Sequence, residues 1–184
     1  MIYPIIAYGD PILRAKSTVI PREKALGELV QAMFATMELA QGIGLAAPQI
    51  GHSIRLFVVD CTPYSQTGKH GNLRKHVFIN PILHIDTTMA PDIREEGCLS
   101  VPDVLVAVPR REKIRISYFD LQWQFKEEEW VGFPARVIQH EYDHLEGKLH
   151  IDYASSLRKR LLKSKLTAIS QGKVAVPYKM QFPS

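Results

Sequence analysis

The stretch QHEYDHLEGKLH, residues 139–150, constrains this chain more than any other. Residues four apart on an α-helix are turned about 40° from each other and displaced by about 6 Å along the axis. His140 and His144 therefore project side by side and can share one metal ion. Glu141 sits about 100° round from His140, where it can meet a water at that ion without being a ligand. The helix presenting this HExxH pattern is expected to begin near Pro134, whose missing N–H suits a first turn, and to end at Gly147.

Such a helix needs a frame, and hydrophobic periodicity supplies its outline. Leu26, Leu29, Val30, Met33, Phe34, Met37 and Ala40 recur at helical spacing before Gly42. Strand-like runs follow: RLFVVD (55–60), HVFINPILHID (76–86, broken by Pro81), VLVAV (104–108) and KIRISYFD (113–120). The polar segment 61–75 reads as a surface loop. A last helix is expected from Ser155 or Ser156 to Ser170, with Leu157, Leu161, Leu162, Leu166 and Ile169 on its packed face. Helix, several short strands, helix, helix is an α+β order rather than alternating βαβ units. The 184 residues suffice for one domain, 1–184, of which 153–184 form a basic C-terminal helix and tail.

Composition narrows the setting. A 46% hydrophobic and 23% charged chain with no apolar run near 18 residues is neither disordered nor membrane-spanning. The start, MIYPIIAYGDPILR, has neither a basic leader nor a small-residue cleavage site, so a cytoplasmic protein is expected, with neither membrane nor DNA as partner. In such a compartment Cys61 and Cys98 are free thiols or metal ligands rather than a disulfide. All 19 acidic residues lie at or before Asp152, while seven of the 23 basic ones follow it. The tail is either a solvated helix face or an electrostatic contact to ribosomal RNA.

Two imidazoles make an incomplete site, because catalytic zinc or iron takes three protein ligands and keeps one position for water. A distal glutamate is excluded, since no acid follows Asp152. His150 is one candidate: HEYDHLEGKLH fits the metzincin template HExxHxxGxxH, with Met180 available for the methionine turn, and the protein would then be an endopeptidase using His140, His144 and His150. Cys98, in REEGCLSVPD, is another, because a thiolate binds zinc or ferrous iron strongly. A third arrangement joins Cys61 to Cys98, His140 and His144 as a closed structural zinc site in a basic RNA-binding module.

The motifs GIGLAAPQIG (42–51), EGCLS (96–100) and QHEYDHLEG (139–147) together resemble the three signature motifs of the peptide deformylases, in the same order. The resemblance spans roughly residues 4–153. It implies hydrolysis of the N-formyl group from the initiator methionine of new bacterial polypeptides, with release of formate. It also implies one divalent metal, commonly ferrous iron with zinc or nickel as substitutes, held by Cys98, His140 and His144. Glu141 becomes the general acid/base, and Gln49 with the backbone N–H of Leu99 faces the formyl oxygen. The fold implied is α+β, with antiparallel sheets packed around a central HExxH helix.

The residue chemistry agrees with those roles. A Cys-His-His shell leaves one position for water, whose pKa a metal lowers from about 15.7 to about 7. Donors at Gln49 and Leu99 are each expected to stabilise the charge on the carbonyl oxygen by about 3 kcal/mol. Backbone groups of Ile43, Gly44 and Gly97 are expected to pair with an extended peptide, and Phe133, Val137 and His140 to line a methionine pocket. Asp143 is expected either to make a supporting hydrogen bond or to be a solvated helix residue, while Arg110 and Arg111 read as surface charges.

Overall fold

In the computed structural model, which describes residues 1–62, 75–88 and 90–183, alternation along one short strand sets the architecture. In β3 (Leu56–Val59) all four side chains are buried. Leu56 and Val58 join Val30, Met33 and Met37 of helix α1 (Gly27–Leu39), whereas Phe57 and Val59 join Ala135, Val137 and Ile138 of helix α2 (Gly132–Leu145). Successive strand side chains point to opposite faces, so two-sided burial puts one helix on each face of the sheet.

That sheet has the order β2-β3-β4-β7-β8, antiparallel throughout, with β2 (Gly44–Ala46) and β8 (Phe125–Val131) as its edges. Between them run β4 (His76–His84) and β7 (Lys113–Phe119). Pro81 does not end β4. The register jumps from Ile79 opposite Phe119 to Ile82 opposite Ser117, a bulge at which the residue without an N–H costs no ladder bond. Asn80, at φ 50°, uses its side chain there to bond the N–H and carbonyl of Ile20.

A separate hairpin, β5 (Asp92–Cys98) with β6 (Val101–Arg110), packs Val104, Val106 and Val108 against helix α3 (Ser156–Ser170). The outer face of α3 departs from expectation. Leu162, Leu166 and Ile169 are buried, but Leu157 and Leu161 are 61% and 67% exposed. They lie about 140° and 100° round the helix from Leu162, outside a stripe narrow enough to meet one hairpin. One parallel pair departs from the antiparallel pattern: β1 (Ile5–Ile6) beside β9 (Met180–Gln181).

Helix α2 ends as its sequence indicates. Gly147 has φ 70°, and an added Cβ there would lie 2.8 Å from the Arg14 carbonyl carbon and 3.3 Å from the Ala15 oxygen, both fixed backbone. Gly147→Ala is expected to cost about 2 kcal/mol and lower Tm by roughly 6 °C. An unchanged thermal melt would show that this turn has room to relax. The segment read as a loop at 61–75 falls largely outside the described residues. No helix among the described residues is long and apolar enough to cross a membrane.

Candidate metal centre

Two elements converge on one point. Helix α2 presents His140 and His144, and Cys98 ends β5 just before the tight turn at Leu99 and Ser100. Gly97 sits where the β5–β6 register shifts, so the cysteine leaves the ladder beside a bulge. One ligand atom from each of Cys98, His140 and His144 lies within 4.8 Å of the others. Cys98 Sγ and His144 Nε2 are 3.4 Å apart. A tetrahedral ion with bonds of about 2.3 Å to sulfur and 2.0 Å to nitrogen separates such donors by about 3.5 Å, so the trio fits one ion.

The donor types suit a divalent cation. Burial alone would raise the Cys98 thiol, but the His144 charge and hydrogen bonds from His140, His144 and His150 hold it far below the ordinary thiol value. That favours the thiolate, the form in which a cysteine binds a metal. His140 directs Nδ1 to Glu96 Oε2 at 3.0 Å, which leaves Nε2 for an ion.

His150 is placed differently. It is buried, and its Nε2 donates to the Val104 carbonyl at 3.0 Å, tying the turn His150–Tyr153 to β6. It is absent from the ligand trio, and Met180 lies in β9 rather than in a methionine turn. The metzincin reading is therefore not favoured. Cys61 packs among Phe57, Phe78 and Ile114, where burial first and Asp60 second raise its thiol to about 12. It too stands outside the trio, against a four-ligand zinc site.

Glu141 is buried against Gly44, where any added Cβ would meet the carboxylate, with its Cδ at 2.7 Å. Gly44 is the residue type that leaves that space. Glu141 Oε2 has no hydrogen-bond partner among the described residues, and burial raises the carboxyl above its ordinary value despite the pull of His140 and His144. Gln49 sits in a short 3-10 turn, Ala47–Ile50, where its Oε1 accepts the Ala46 N–H at 2.8 Å. That bond turns Nε2 toward Cys98 Sγ at 3.6 Å and Ser100 Oγ at 3.4 Å. Leu99 is anchored through its carbonyl, which accepts the Tyr178 hydroxyl at 2.9 Å.

These groups open onto a cleft of about 460 Å³, lined also by Ile43, Gly44, Gly97, Phe133 and Val137. Among the described residues, β2 is an edge of its sheet and β5 pairs with β6 alone, so each has an edge that could take an added strand. The Ile43 carbonyl already accepts the Asp60 N–H at 2.8 Å.

A buried charge network behind the ligands was not legible as such. Arg110, read as a surface charge, is 5% exposed. Its Nε and Nη2 donate to the two oxygens of Glu96, each at 3.0 Å, and Nη1 donates to Asp143 at 2.6 Å. Arg136 adds a bond to Glu96 at 2.8 Å. Burial would raise Glu96, yet bonds from His140 and Arg110 hold it at about 2. Asp143 also accepts the Tyr153 hydroxyl at 2.8 Å. The only sequence signal was position: Glu96 lies within EGCLS and Asp143 within HExxH.

A family model described as polypeptide deformylase matches residues 2–160. The chain is 48% identical over 186 residues to a peptide deformylase of Cytophaga hutchinsonii, covering 100% of this chain and 98% of that one. It is 47% identical over 192 residues to one of Christiangramia forsetii, covering 100% and 97%. The crystal structure of a Thermus thermophilus peptide deformylase superposes with a TM-score of 0.78 at 36% identity, covering 95% of this chain and 100% of that one.

Proposed function

Because the chain belongs to the polypeptide deformylase family, metal-dependent hydrolases that remove the N-formyl group from nascent formylmethionyl polypeptides and release formate, we propose that Cys98, His140 and His144 hold its metal. Glu141, Gln49 and Leu99 carry the chemistry in this reading. The observation that supports it most is the crowding of a cysteine sulfur and two imidazoles beside a buried carboxylate oxygen with no hydrogen-bond partner among the described residues.

Cys98, His140 and His144 would hold a divalent ion, ferrous iron in our reading with zinc or nickel able to substitute, which would supply Lewis acidity toward the formyl oxygen and would lower the pKa of water toward about 7. Glu141 takes a proton from the attacking water and delivers it to the departing amine, a role suited to a carboxyl raised by burial. Gln49 Nε2 and the Leu99 N–H donate to the carbonyl oxygen as it gains charge; the Ala46 bond and the Tyr178 hydroxyl hold these two donors in place beforehand. The extended substrate pairs with backbone of Ile43, Gly44 and Gly97 between the two strand edges, and its methionine side chain packs on Phe133, Val137 and His140.

The whole chain, 1–184, acts as one domain in the cytoplasm in this reading. The exposed basic face of α3 meets ribosomal RNA. Its support is the run of basic residues after Asp152, of which Arg160 and Lys163 are exposed on α3. Arg160→Glu with Lys163→Glu is expected to weaken co-sedimentation with ribosomes at low salt; unchanged sedimentation would leave α3 a solvated face.

Formate release from a formylmethionyl peptide, run beside an internal-cleavage assay on the same unformylated peptide, tests the main reading. Formate without internal cleavage is expected. Internal cleavage without formate would make the protein an endopeptidase.

A further inference from the structure

Beyond α3 the chain turns at Gly172 and continues without regular secondary structure to a bend at Pro177 and Tyr178, and its burial alternates. Lys173, Ala175, Pro177 and Lys179 are exposed, while Val174, Val176, Tyr178 and Met180 are half-buried. That is the pattern of a strand laid over a surface. It is pinned near its end: the N–H groups of Ile5 and Ala7 donate to the carbonyls of Lys179 and Gln181, both at 2.8 Å. Tyr178 ties the same stretch to Leu99, next to the ligand Cys98.

This segment lies beyond residue 160, where the match to the family model stops. Yet Ala175, Val176, Pro177 and Tyr178 line the same cleft as Cys98, His140 and Glu141. A peptide bound as a strand alternates its side chains between two faces. If the methionine side chain packs on Phe133 and Val137 of α2, the next side chain points away from α2 and needs a different wall.

We propose that residues 175–178 form that wall: a subsite for the side chain following the formylated methionine, selective for aliphatic groups. The inference rests on the deformylase reading above. Ala175, Val176 and Pro177 offer only hydrocarbon, which favours an apolar partner. Glu95 and Asp103 also line the cleft and disfavour an anionic one.

The test uses the full-length, metal-loaded enzyme as wild type, Val176→Lys and Val176→Glu. For each, kcat/KM is measured on formyl-Met-Leu, formyl-Met-Lys and formyl-Met-Glu peptides, normalised to formylmethionine amide. Wild type is expected to favour the Leu peptide. Val176→Lys should shift the Glu-to-Lys ratio upward and Val176→Glu downward, opening a gap of about tenfold between the variants. Opposite shifts cannot come from a general loss of folding. Equal ratios in the two variants, or a wild type indifferent to this residue, would overturn the subsite. No formate from wild type on any substrate would instead overturn the deformylase reading itself.

Discussion

Glu141→Gln is expected to lower kcat for deformylation by about 10³-fold, close to 4 kcal/mol, while metal content stays at the wild-type level. Glu141 is not among the three gathered donors, so its loss should not empty the site. Its Oε2 has no hydrogen-bond partner among the described residues, so the group is poised for a proton that none of them supplies. Glutamine keeps the volume against Gly44 and removes only the ability to take and return that proton. The effect should therefore fall on kcat rather than KM. A variant that kept kcat and raised KM would show that Glu141 only binds substrate.

Arg110→Leu is expected to have the largest effect on stability, a loss of about 3–5 kcal/mol. The guanidinium bridges Glu96 on β5 and Asp143 on α2, the two elements that carry the proposed ligands. Its side chain is only 4% exposed, so water cannot replace it, and Asp143 would keep only the Tyr153 hydroxyl. In a chain of this size the loss corresponds to a Tm fall of roughly 10 °C. Arg110→Lys should rescue little, because one ammonium cannot make the paired bonds to Glu96 and still reach Asp143. A drop below about 1 kcal/mol for Arg110→Leu would return this residue to the surface charges.

What the sequence made legible was local. Helical spacing marked α1, Pro134 and Gly147 bracketed α2, Ser155 capped α3 by accepting the Arg158 N–H, an unbroken apolar run marked β3 and alternation marked β7. The strands it hid are edges. In β8 the run FKEEEWV buries its pattern under three glutamates, of which Glu128 turns inward to accept the Tyr118 hydroxyl. Strand β5 shows an exposed Ile93 and charged neighbours, as edge strands that avoid pairing with other chains often do.

Long-range pairing was the other blind spot. Arg110 meets Glu96 14 residues away and Asp143 33 away, and no local pattern separates such an arginine from one in water. The same holds for Tyr178, whose bond to Leu99 spans 79 residues and brings the tail to the cleft. From spacing alone the third ligand stayed open for a related reason, and the family resemblance favoured Cys98: it stands 46 residues from His144, whereas His150 stood in the template beside it.

Which side chains hold the ion can be read from metal content per purified chain. Wild type, His150→Ala and Cys61→Ser are each expected to carry about one divalent ion, and Cys98→Ser to carry almost none. An empty His150→Ala protein beside a loaded Cys98→Ser protein would contradict the assignment and restore a three-histidine site.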